Sequence, residues 1–176
     1  DDGSTPISTL HASDLRFGPC QKRLAVALTR LWYSRLPVTQ DGPWEFAFCA
    51  ENDGVAYAVA LWNTPSGRCL PQHWLELRRL ACAKDAPKNT ASRMLGWMVR
   101  YFRRHHANRE RCISYQDIAV HKGTIYKAAG WTPTALSKPR IRDRSKARVG
   151  TTRAYRSNVN GVGIDGGAKQ RWEITL

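Results

Sequence analysis

Apolar and charged positions alternate through Leu75-Glu76-Leu77-Arg78-Arg79-Leu80 and give way to the small run Ala81-Cys82-Ala83, the pattern of a strand entering a core. Lys84 to Lys88, with Pro87, breaks it, and Asn89-Thr90-Ala91-Ser92 then offers N-cap chemistry for a helix. Met94, Leu95, Met98, Val99 and Phe102 recur at three-and-four spacing and carry that helix to 106, where basic residues suit the negative end of its dipole. A second strand follows over 112–118, and residues 123–131 read as a short helix stopped by Gly130 before Trp131. The stretch 75–131 is one βαβα unit, and the rest of the chain frames it.

Upstream, 1–9 is polar and Pro-containing, a loose end or an edge strand, and 11–14 reads as an approach to a first helix. Leu24, Ala27, Leu28, Leu31 and Trp32 give a helical period over 19–36, closed by Leu36-Pro37. Two strands over 44–50 and 55–62, joined by Glu51-Asn52-Asp53-Gly54, form the clearest hairpin signal in the chain. Residues 63–72 form a loop containing Pro and Gly. Downstream, 132–136 reads as a strand, 137–153 as a basic loop or arm, 151–155 as a brief return to the sheet, 158–167 as a mobile glycine-rich segment, and 169–176 as a closing strand.

Composition then narrows the class. At 176 residues one domain spanning 1–176 is expected. Roughly two-thirds of its unfolded surface can be buried at that size. A formal net charge of +14 predicts attraction to a polyanion, an anionic membrane surface or an acidic cofactor, and nucleic acid is the commonest such partner. No apolar run approaches the ~20 residues needed to span a bilayer and no secretory leader is visible, so a cytoplasmic protein without a membrane partner is expected. Cys20, Cys49, Cys69, Cys82 and Cys112 are odd in number and contain no CxxC pair. They predict free, mostly buried thiols in a reducing compartment.

The element order matches the mixed-sheet α/β fold of the GCN5-related N-acetyltransferases. Within that superfamily, Ser114-Tyr115-x-Asp117 followed by Gly123-Thr124-Ile125-Tyr126-Lys127-Ala128, with Leu75-Glu76-Leu77-x-Arg79-Leu80 and Pro87-Lys88-Asn89-Thr90, resembles the Mom family of phage DNA-modification proteins. That family places a methylcarbamoyl (carbamoylmethyl) group on the exocyclic nitrogen of adenine in DNA. The resemblance implies acetyl-CoA or a related acyl donor, DNA as acceptor, and the host cytoplasm as the setting if the gene is phage-borne.

The residues can be weighed one by one. A donor pyrophosphate calls for backbone N–H groups at a helix N-terminus, which points to Lys88, Asn89, Thr90, Ala91, Ser92 and Arg93, with Leu80 and Cys82 on the preceding strand. The usual acyltransferase loop carries two glycines there, and Ala91 or Ser92 and Arg93 stand in their place. Mere helix capping by Asn89 and Thr90 is the competing reading. The resemblance makes Tyr126 the proton donor to a leaving thiolate, a task that suits a phenol neutral at pH 7. An amphipathic core tyrosine is the alternative.

Asp117, at a strand end, could accept a proton from an incoming amine, or be a loop carboxylate paired with an arginine. Strand alternation puts Ser114 and Gln116 on one face and Tyr115 and Asp117 on the other. Arg78 and Arg79 likewise diverge, one reaching a phosphate or DNA and the other solvated, and the family pattern selects Arg79. Tyr33-Ser34 corresponds to a His-Tyr-Ser run of the family, with Trp32 in the histidine's place as a stacking platform or a core residue. Arg140, Arg142, Arg144, Lys146 and Arg148 have the signature of a phosphate-tracking arm. His105, His106 and His121 match no standard metal spacing, so no metal is assigned, although the family has been linked to iron.

Three readings follow. The first is a DNA-hypermodification transferase that flips a base into its cleft and adds an acyl-like group to a nucleobase amine or side-chain amine, using Tyr126, Asp117, Ser114 and Tyr33. The second is a conventional acetyl-CoA-dependent N-acetyltransferase acting on a small amine or protein. The third is a DNA-binding module on a degenerate acyltransferase scaffold.

Overall fold

A computed structural model describes residues 9–32, 39, 41–138 and 168–176. The elements are β1 (Arg16–Pro19), α1 (Lys22–Trp32), β2 (Phe46–Asn52), β3 (Val55–Asn63), β4 (Leu75–Cys82), α2 (Thr90–His105), β5 (Arg111–Asp117), α3 (Thr124–Ala128), β6 (Thr132–Ser137) and β7 (Lys169–Thr175). The strands form one sheet in the order β1-β2-β3-β4-β5-β7-β6. Every neighbouring pair is antiparallel except β4 and β5, whose parallel connection is made by α2.

Helices cover both faces. On one, Met94, Leu95, Met98 and Phe102 of α2 bury against Phe48, Ala60, Trp62, Leu75 and Leu77. Each such side chain contributes about 1.5–3 kcal/mol by leaving water. The Trp62 indole N–H donates to Met98 Sδ at 3.0 Å, so this large core residue carries no unpaired donor. On the other face, Ala25 and Val26 of α1 pack on Ala47, Val59, Leu61 and Ala81. The small side chains there let the helix lie close to the sheet.

The hairpin turn contains only Asp53 and Gly54, both at positive φ (49° and 77°), as a two-residue turn matching strand twist requires. Several expectations are corrected. The helix expected over 19–36 begins only at Lys22, because 16–19 pairs with β2 as an edge strand, the one place in a sheet where Gly18 and Pro19 are tolerated. Asn89 does not cap α2 through its side chain. It sits at φ 69°, and the hydroxyls of Thr90 and Ser92 donate back to the carbonyls of Pro87 and Asn89. Of the five free cysteines Cys112 is fully buried, Cys20, Cys49 and Cys82 are half-buried, and Cys69 is exposed. The expected return strand at 151–155 and the glycine-rich stretch 158–167 lie outside the described residues.

Candidate active site

The parallel pair β4–β5 is the opening around which the site is built. Pairing is confined to Leu75↔Cys112, Glu76↔Ile113 and Leu77↔Ser114. Immediately beyond, the β3–β4 register slips so that Leu61 faces Arg79 while Trp62 faces Leu77, leaving Arg78 as an extra residue. Such a bulge bends its strand and ends pairing. Past it, the two strands share no further rungs.

The bulge also reverses the alternation. Leu75 and Leu77 before it, and Leu80 and Cys82 after it, all pack with the α2-side core, while Ala81 packs on the α1 side. Arg79 therefore shares Ala81's face. Its guanidinium donates to the Arg78 carbonyl at 2.8 Å. Arg78, expected to be solvated, instead meets the buried Glu76 at 3.1 Å and the Thr64 carbonyl at 3.1 Å.

Next to the opening, a cavity of about 240 Å³ is lined by Cys82, Ala83, Ala86, Pro87, Asn89, Thr90, Ala91, Ser92, Thr124, Ile125 and Ala128. It combines the start of α2 with α3. Among the described residues no acceptor takes the amides of Ala91 and Ser92, the first-turn donors that a helix leaves over. With the positive end of the helix dipole, they fit an anionic group such as a pyrophosphate. The volume is below the ~300–1,000 Å³ of sites that enclose a whole ligand, so it suits one segment of an extended donor. Of the residues expected to bind the donor, Cys82, Asn89, Thr90, Ala91 and Ser92 line this cavity. Lys88 and Arg93 stand exposed at its margin, and Leu80 packs in the α2-side core instead. Burial pushes the Cys82 thiol up to about 11. It stays protonated at neutral pH and is a poor nucleophile.

Tyr126, on α3, is 8% exposed and its hydroxyl lies 2.8 Å from Ser114 Oγ. Its ring stacks on Trp172 of β7 (centroids 5.4 Å, 12° between planes) and meets the edge of Trp131. The Trp172 indole donates to Gln116 Oε1 at 2.7 Å, and the Gln116 amide donates to the His121 carbonyl. Ser114 and Gln116 thus share the Tyr126 face of β5. Sequence reasoning paired them by alternation but did not single out Gln116, and it missed Trp172 because the contact spans 56 positions.

The structure does not bring Asp117 to this cluster. It points, with Tyr115, to the opposite face of β5. One carboxylate oxygen accepts from the Ala119 amide at 3.0 Å and fixes the turn after the strand. Trp32, half-buried, packs against the α1-side core. Tyr33, Arg140, Arg142, Arg144, Lys146 and Arg148 lie outside the described residues. Among the described residues no three His, Cys, Asp or Glu side chains converge to hold an ion.

Solved structures share this fold at low identity. A Bacillus subtilis acetyltransferase in complex with CoA aligns with TM-score 0.57 at 9% identity, covering 92% of this chain and 99% of its own. The ribosomal-protein-S18-alanine N-acetyltransferase of Escherichia coli gives 0.62 at 10%, covering 92% and 94%. A putative acetyltransferase of Salmonella typhimurium with its cofactor acetyl-CoA gives 0.61 at 11%, covering 93% and 94%. No curated protein matches. The model of the Mom protein family matches residues 55–165, well over half of the sequence and inclusive of the β4–β5 opening, the cavity and Tyr126, and the chain belongs to that family.

Proposed function

We propose that this protein is a DNA-modifying transferase that moves an acyl-type group from a coenzyme A-linked donor to an amine of a nucleobase. The observation that carries the reading is the Tyr126 phenol, buried and held at 2.8 Å by Ser114, beside the unpaired part of β4 and β5 and next to the cavity at the start of α2. The family membership and the +14 charge support DNA as the acceptor.

In this reading the cavity amides of Ala91 and Ser92 bind donor phosphate, and the reactive end of the donor reaches the gap between the strands. The acceptor approaches from the other face, where Arg79, Tyr115 and Asp117 project. The amine nitrogen bonds to the acyl carbon as the carbon–sulfur bond breaks. Tyr126 gives its proton to the departing thiolate, and the free carboxylate oxygen of Asp117 takes the proton lost by the amine. Donor and acceptor protons are thus handled on opposite faces. The protonated Cys82 disfavours an acyl intermediate on that thiol.

The test is mass spectrometry of nucleosides from plasmid DNA co-expressed with the protein, where the cell supplies the donor. A new nucleoside mass is expected. Unmodified DNA, together with acetylation of a small amine or protein by the purified chain, would establish the conventional acetyltransferase reading in its place.

A further inference from the structure

The contacts that hold Tyr126 close a circuit. Its hydroxyl meets Ser114, its face lies on Trp172, and its edge neighbour is Trp131. Trp172 is held in plane by its bond to Gln116, whose amide ties to the carbonyl of His121 in the turn that leads into α3. That turn ends at Gly123, whose carbonyl accepts from the Tyr126 amide at 3.1 Å. A Cβ on Gly123 would stand 2.5 Å from Gln116 Oε1 and 2.6 Å from the Trp172 ring. The helix carrying Tyr126 is therefore pressed directly onto the Gln116–Trp172 pair.

Gln116 is 6% exposed and Trp172 3%. An apolar residue at 116 would fill the same space but would leave the buried indole N–H without an acceptor. A buried, satisfied polar pair of this kind restricts the core to one arrangement. Here the arrangement it selects is the plane on which the phenol rests.

We infer that Gln116 and Trp172 are positioning residues for the Tyr126 proton donor, acting through the stacked ring and not on donor or DNA. The inference rests on the proposed role of Tyr126. A displacement of about 1 Å at a proton-transferring group can lower a rate by ~100-fold, so loss of this platform affects turnover before it affects binding.

Three substitutions test it: Gln116→Met, which removes both hydrogen bonds at similar volume, Trp172→Phe, which keeps a stacked ring without the donor, and Tyr126→Phe. The readouts are the rate at which the new nucleoside accumulates in co-expressed plasmid, duplex affinity of the purified chain, and the ¹³Cζ resonance of Tyr126. Gln116→Met and Trp172→Phe are expected to slow modification about 10- to 100-fold, to shift or broaden the Tyr126 resonance, and to leave duplex affinity within about threefold. Neither should slow a Tyr126→Phe protein by more than about twofold further, because their effect passes through that phenol. Near-wild-type rates in both variants would overturn the inference, as would slowing with the Tyr126 resonance unmoved. A Tyr126→Phe protein that modifies DNA at the full rate would instead remove the proton-donor role itself, and an unmodified plasmid with the wild-type chain would remove the transfer reaction.

Discussion

Gly54 and Gly123 both have positive φ, but only one of them lacks space. Around Gly54 nothing lies within 4 Å of the place a methyl group would occupy, so Gly54→Ala meets only the left-handed backbone penalty of about 1–2 kcal/mol. Gly123→Ala adds the collision with Gln116 and Trp172, an overpacking cost of about 1–3 kcal/mol. Urea unfolding should show Gly123→Ala as the more destabilised by that margin, with its altered near-UV circular dichroism reporting the Trp172 indole. Equal midpoints would mean that the Gln116–Trp172 pair yields to the methyl group freely. The requirement at Gly123 could not be seen beforehand. A glycine opening a short helix is ordinary turn chemistry, and its neighbours come from β5 and from a strand 49 positions later. Ser114 and Tyr126 were each legible as chemistry, whereas their 2.8 Å contact depends on how α3 folds back over β5.

At the scale of elements, the hairpin and α2 were legible because local turn chemistry and a 3.6-residue period agree with the tertiary fold. Strand β1 was not, since four residues containing Gly18 and Pro19 have no strand pattern of their own and are held by the edge of β2. The bulge at Arg78 was hidden for a related reason: register is a property of two strands, and β3 decides it. Deleting Arg78 tests its importance. The deletion would restore plain alternation and leave Leu80 and Cys82 on the α2 face and Ala81 on the α1 face. A cooperative urea transition is therefore expected to survive, while the straightened strand pairs further along β5 and modification of co-expressed plasmid is lost. Full-rate modification by the deleted protein would show that the gap between β4 and β5 does not depend on the bulge.

Strands β5, β6 and β7 are joined by a buried carboxylate. Glu173, 5% exposed, meets Arg111 at 2.5 Å, Arg171 at 2.7 Å and Thr134 at 2.8 Å. Burial alone would raise its pKa, but the hydrogen bonds from Arg111 and Thr134 and the charges of both arginines outweigh it and hold the carboxyl below 4.5. Because the folded pKa is the lower one, the unfolded chain binds the proton more readily, so this group stabilises the fold above about pH 4.5 and its contribution is lost as the pH falls through the folded value. Glu173→Gln should therefore lower stability at pH 7 by about 1–3 kcal/mol, the arginines being partly open to water. The difference from wild type should shrink toward pH 3. A difference independent of pH would place the cost in packing and not in charge.

For the molecule as a whole, charge decides what the site can meet. Twenty-eight basic residues against fourteen acidic ones exceed what a single acyl donor needs, and Arg140, Arg142, Arg144, Lys146 and Arg148 fall within one stretch of nine positions. If these five side chains each neutralise a DNA phosphate, binding releases counterions, and the logarithm of the affinity falls with the logarithm of the salt concentration with a slope near −0.9 per contact. Replacing all five by serine should make that slope shallower by about 4 to 5 and weaken binding to every duplex sequence alike, since phosphate contacts carry no base information. Fluorescence anisotropy with two unrelated duplexes between about 50 and 200 mM salt reads both effects. A slope unchanged by the replacements would move the phosphate contacts to other basic surfaces. A wild-type protein with no salt-dependent duplex binding would leave its charge to the donor alone, and a flipped base in the gap between β4 and β5 would then have nothing to hold its duplex in register.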